Sequence, residues 1–133
     1  MNEGSMNSQL DRFLAAENER NARDAEYFIR GQIVAICESV LAEEMGVIAG
    51  SRRLNRLGLD LYDAHDPDFI TFRGVDSETD HLPVDSERAN WSAEALERKD
   101  AEIAHAEKTY REDVFLACRK LIERFRLQPA ETK

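Results

Sequence analysis

No stretch of this 133-residue sequence is apolar for long enough to suggest a membrane span, and 34% of its residues are charged. Its first apolar residues, Leu10, Phe13 and Leu14, are interrupted by Asp11, Arg12, Glu17, Glu19 and Arg20 and form no secretory h-region, so a cytoplasmic location is expected. Cysteine is scarce. Cys37 and Cys118 stand 81 positions apart with no close Cys or His pairing in zinc-ligand spacing, and both are expected to be buried thiols. Basic side chains are in deficit, 18 against 27 acidic ones, giving a formal net charge of −9. That charge repels phosphate backbones and disfavours general nucleic-acid binding. Internal repeats, low-complexity tracts and interdomain linkers are also missing.

What remains is 42% apolar content on a length that suits one domain with a modest core. Residues 1–6, with a second methionine at Met6, are set aside as a disordered start or cloning remnant, and 7–133 as a single helical domain. From Asn7 to about Arg23 the chain is polar with few apolar residues, which predicts a frayed or docking helix. From Asp24 to Glu44, Phe28, Ile29, Ile33, Ile36, Val40 and Leu41 recur at three and four, with Tyr27, Val34 and Cys37 widening the stripe of a core helix. Gly31 inside it predicts close helix packing, whereas Gly46 and Gly50 read as punctuation.

A second helix is expected to bury Val47, Leu54, Leu57 and Leu61 and to turn Arg52, Arg53 and Arg56 to water. Asp66-Pro67 supplies an N-cap and a first-turn proline for a short helix burying Phe69, Phe72 and Val75, with a strand over Phe69–Phe72 as the alternative. Leu82-Pro83 ends that element. From about Ser92 to Arg126 there is no proline or glycine, and Leu96, Ile103, Tyr110, Val114, Ala117, Leu121 and Phe125 keep a helical period. The fold expected is all-α, an antiparallel bundle of two long helices with shorter ones between.

The acidity is local. Asp60, Asp63, Asp66, Asp68, Asp76, Glu78, Asp80, Asp85 and Glu87 face only Arg73 and Arg88 between residues 60 and 90, so this segment carries −7 of the −9. These nine carboxylates are the candidate dock for a basic protein partner, with Phe69, Phe72 or Trp91 as anchors where exposed. The alternative is a solvated connection in which Arg52, Arg53 and Arg56 pair with the acidic residues. Asp60, Asp63, His65, Asp66 and Asp68 offer hard oxygen ligands, but no glycine at the sixth or glutamate at the twelfth position completes a calcium loop, so no metal is assigned. No cofactor is expected, and a homodimer is compatible with the pattern. Glu78 is expected to anchor Arg88 beside Trp91 in a structural clasp.

Two resemblances bear on activity. Arg98 and His105, two turns apart on one helical face, resemble the Arg-x(4 to 6)-His motif of HEPN-type ribonucleases. That resemblance implies phosphate binding by Arg98 and proton transfer by His105 in a helical dimer. Lys99 after Arg98 and the intervening Glu102 depart from the pattern. Glu94, Glu97 and Asp100 resemble the acidic helical motif of nucleotide pyrophosphohydrolases, but they alternate with Arg98 and Lys99 and read more simply as an acidic helix start. Glu38 and Leu41, Arg53-Leu54, Phe69-Ile70-Thr71-Phe72, Ser77-Glu78-Thr79, Leu82-Pro83, Arg88, Trp91 and Ala117-Cys118-Arg119-Lys120-Leu121 together resemble a family of small bacterial helical proteins of uncharacterised function, over about residues 25–125. Its small acidic members look like immunity proteins that neutralise a basic toxin nuclease by direct binding. The implied role is a non-enzymatic interaction protein.

Overall fold

A computed structural model describes residues 2–61 and 64–127, with side chains from 8–61 and 64–126. Four α-helices carry the fold: α1 (Asn2–Leu41), α2 (Val47–Leu61), α3 (Ile70–Thr79) and α4 (Ala93–Leu127). Short 3-10 turns at Pro67–Phe69 and Asp85–Asn90 lead into α3 and toward α4. The described residues contain no strand, so the Phe69–Phe72 segment is helical. Where two helices were expected before residue 44, the chain makes one. Nothing between Arg23 and Asp24 breaks the backbone hydrogen-bond ladder, and the helix runs on until Glu43 takes φ 61° in the turn to α2.

Helices α1 and α4 are antiparallel. Arg30 lies over the Phe125 ring at 5.1 Å, Cys37 meets Cys118, and the residues after α1 meet Glu107. Position rises on one helix as it falls on the other. Their interface buries Ile33, Cys37, Val40, Val114, Cys118 and Leu121, joined from the side by Leu54, Phe69 and Phe72. Phe28 and Tyr27, expected in the core stripe, are 66% and 62% exposed, because both lie well over a quarter-turn around α1 from the centre of the buried stripe of Ile33, Cys37 and Val40. A satellite cluster of Ile48, Leu82 and Ala106 closes the other end.

Close packing falls on other glycines than the expected one. A β-carbon at Gly31 would meet nothing within 4 Å, so this glycine faces open space. At Gly50, inside α2 rather than between helices, it would stand 2.3 Å from Val40 Cγ2, and at Gly58 it would stand 2.4 Å from Phe69 Cδ1. These two bare surfaces let α2 sit directly on α1 and on the Phe69 ring. Phe69 in turn packs at 6.2 Å, tilted, on Phe72.

The start of α2 has no capping side chain of its own, since Gly46 precedes Val47 and no acidic residue lies in the first turn. Glu107 of α4 supplies the missing acceptor. Its carboxylate takes the Val47 N–H at 2.7 Å and the Ile48 N–H at 2.9 Å. This satisfies two unpaired donors and places negative charge at the positive end of the helix. A side chain at position 46 would crowd that carboxylate at 3.1 Å.

Candidate functional site

Arg52 was expected to face water, yet its side chain is only 18% exposed and it organises the acidic connection. One terminal nitrogen donates to the carbonyl oxygens of Thr79 and, at 2.8 Å, Leu82; the other donates to Glu87 Oε1 at 3.0 Å. Asp76 lies 3.6 Å from its Nε, an ionic contact too long for a hydrogen bond, and is also held by Asn55 Nδ2 at 3.1 Å. A cation thus closes the carbonyl end of α3, where the helix dipole favours positive charge. Next along α2, Arg53 reaches Asp85 Oδ2 at 3.1 Å.

The other end of the connection is tied down in the same way. Asp66 accepts the Asp68 N–H at 3.0 Å as the expected N-cap, and Arg124 near the end of α4 contacts Asp66 at 3.2 Å and Asp68 at 2.7 Å. Asp66, Asp68, Asp76, Asp85 and Glu87 are therefore ion-paired within the chain. Among the described residues, Asp60, Glu78 and Asp80 form no salt bridge and are exposed; Asp63 lies outside the described residues. Phe69 and Phe72 are buried, which removes them as anchors, while Trp91 stays 37% exposed.

The clasp expected between Glu78 and Arg88 is differently partnered. Arg88 donates two parallel bonds to Asp100 on α4, at 2.8 and 3.2 Å. Helix α4 begins only after the Asp85–Asn90 turn, which brings its second turn, not α3, within reach of the guanidinium. The pair holds the Asp100 carboxyl below the usual carboxylate range and raises Arg88, the hydrogen bond being the main cause of both.

Among the clefts that flank this lattice, two bear on the candidate residues. One, about 360 Å³ between α2 and α3, is lined by the exposed Leu59, by Arg52 and Arg56, and by Asp60, Asp76, Asp80 and Glu87, four carboxylates against two arginines. The other, about 450 Å³ between the end of α3 and α4, is lined in part by Glu78, His81, Glu102, His105 and Tyr110. In it His81 Nε2 lies 3.5 Å from Glu102, whose carboxyl is held low first by Lys99 at 3.2 Å and then by His81. Arg98 and His105 are both exposed on α4; His105 lines this second cleft and Arg98 does not.

Cys37 and Cys118 are both fully buried, and the hydrogen bond between them, then burial, pushes the Cys37 thiol far up. Among the described residues no group of three or more His, Cys, Asp or Glu side chains is placed to hold a metal ion, and no helix is long and apolar enough to cross a membrane.

Sequence reasoning missed Glu107 and Arg124, and it read Asp100 as part of an acidic helix start, not as the partner of Arg88. Only the first had a signal, the uncapped Gly46-Val47 helix start, which demands an acceptor from elsewhere. Residues 5–121 match the family described as Protein of unknown function (DUF2489), and the chain belongs to that family. No curated protein and no solved structure matches it.

Proposed function

We propose that this member of the DUF2489 family is a non-enzymatic binding protein that engages a basic protein partner through Asp60 and Asp80 in the cleft between α2 and α3 and through Glu78 on the adjoining face of α3. The observation that carries this reading is the division of the acidic segment into two classes. Five carboxylates serve the fold through Arg52, Arg53 and Arg124, whereas Asp60, Glu78 and Asp80 stand exposed and form no salt bridge among the described residues. Asp60 and Asp80 share their cleft with an exposed Leu59. That combination suits a lysine or arginine, whose alkyl stem covers the leucine while its charged head lies among the carboxylates. Rim charges of this kind raise association rate and specificity more than affinity, and salt screens them.

In a bacterial cytoplasm the partner would be a basic toxin nuclease held inactive by direct binding, the role of an immunity protein. The test is paired affinity capture from source cells with wild-type bait and with Asp60→Lys/Glu78→Lys/Asp80→Lys bait, at low and high salt, with mass spectrometry. The expected result is a basic protein retained by the wild type at low salt and lost from the variant. Equal recovery on both baits contradicts the reading.

A second reading rests on the other cleft. His105 and His81 line the same groove, a pair of imidazoles able to serve as acid and base in ribonuclease chemistry, with Arg98, outside the groove, left to a flanking phosphate. Cleavage of a mixed RNA by the wild type, abolished in His105→Ala, would replace the binding proposal with this one.

A further inference from the structure

The first half of α1 has large apolar side chains on a face its own fold does not use. From Ser8 to Ala25 every residue except Glu17 is exposed, because α4 packs on α1 only from about Arg30 onward. Followed back from Ile33 and Ile29 in helical steps, the core stripe runs through Glu26, Ala22, Asn18, Ala15 and Asp11, which have little to bury. Leu10, Phe13, Leu14, Tyr27 and Phe28 lie elsewhere on the helix and are 48–66% exposed. Leu10 and Phe28 are eighteen residues apart, five turns at 3.6 residues each, so they project in the same direction, with Leu14 and Phe13 to either side.

We propose that this projecting half of α1 pairs antiparallel with the same segment of a second copy of the chain, about a two-fold axis near Arg20. The spacing is self-complementary in that arrangement. With the axis between residues 19 and 20, Leu10 of one copy falls opposite Phe28 of the other, and Phe13 opposite Tyr27, each to within one residue. The two-fold repeats both contacts, as an isologous interface requires. Leu14 lands on the small Ala25. The charges between the apolar ends also match, because Glu17, which pairs with Arg20 within one copy, lies between Arg20 and Arg23 of the other. A parallel pairing would instead put Glu17 against Glu17 and Asp24 against Asp24.

The area is adequate for a specific contact. Five side chains giving up as much as roughly 100 Å² each contribute up to about 1,000 Å² over the two copies, the threshold for a biological interface and the size of a weak, reversible one. This surface is separate from the α2–α3 cleft, so each proposal can fail alone.

Sedimentation of the full chain tests it. At ~100 µM, well above a dissociation constant in the micromolar range, the wild type is expected at twice its 15.2 kDa chain mass. Phe13→Glu/Phe28→Glu is expected at the single-chain mass with unchanged helical circular dichroism, since neither side chain is in the core. Oxidative cross-linking provides a second readout, because Cys37 and Cys118 are buried and silent. Arg20→Cys lies near the axis and should link copies; Ser8→Cys lies far from its counterpart and should not. A wild-type monomer, a double variant that stays dimeric, or equal linking at positions 8 and 20 overturns the proposal.

Discussion

Replacing Glu107 with alanine should destabilise the whole domain, although this residue lies midway along a helix it does little to hold together. Its carboxylate is the acceptor for the first two amides of α2, at 2.7 and 2.9 Å, and Gly46 leaves the approach open. Losing a capping side chain costs about 0.5–2 kcal/mol. Removing the negative charge from the helix start adds about 0.3–1 kcal/mol. The freed amides lie next to an exposed Gly46, so water recovers part of the loss, and about 2 kcal/mol remains as the expected cost for Glu107→Ala. For a domain of this size that corresponds to a melting temperature lower by roughly 8 °C. Glu107→Gln keeps one carbonyl acceptor without the charge and should lose about half as much. Urea denaturation followed by circular dichroism measures both, with Glu112→Ala, an exposed carboxylate on the same helix, as the reference. A Glu107→Ala cost within ~0.5 kcal/mol of that reference, the ordinary range for surface changes, refutes the capping argument.

Other outcomes follow from the same contacts. Gly31→Ala should raise stability by up to about 1 kcal/mol because its β-carbon meets open space, whereas Gly58→Ala should lower it by about 1–3 kcal/mol against the Phe69 ring; matching unfolding midpoints in the two variants would contradict the packing described. Cys37 and Cys118 should resist thiol labelling near neutral pH until the protein unfolds, so the labelling rate should track the unfolded fraction in urea; rapid labelling of the native protein would show that the pair is accessible. The Asp100 carboxyl should titrate below the ordinary aspartate midpoint, so its favourable contact with Arg88 is complete above the unfolded-state value and lost as pH falls through the lower native one. Carbon-detected NMR should show that midpoint moving up in Arg88→Ala; an unmoved midpoint would place the cause elsewhere.

The helices and their order were legible because periodicity records burial along a single chain. Ile33, Val40, Leu54, Phe72, Val114 and Leu121 all lie in the core as their spacing implied. The Asp66 cap was legible for the same reason, since its partner amide is two residues away. What could not be read was how far two long helices overlap. Tyr27 and Phe28 lie off the buried stripe of α1, and whether α4 covers any of the helix before Arg30 depends on register, which no local pattern fixes. The acidic segment met the same limit. Composition showed nine carboxylates, while the cations that neutralise five of them come from Arg52 and Arg53 on α2 and from Arg124 more than fifty residues away. Arg88 and Asp100 needed the intervening turn to be built before they could be paired.

That partition of the acidic segment is the central claim, and an amide chemical-shift titration with a lysine-rich peptide at low salt tests it most directly. The account predicts shifts concentrated at Asp60, Glu78 and Asp80 and around Leu59, reversed by salt, with Asp66, Asp68 and Asp85 unmoved because their own arginines already hold them. Shifts spread evenly over all the acidic residues, or centred on the arginine-paired ones, would contradict it.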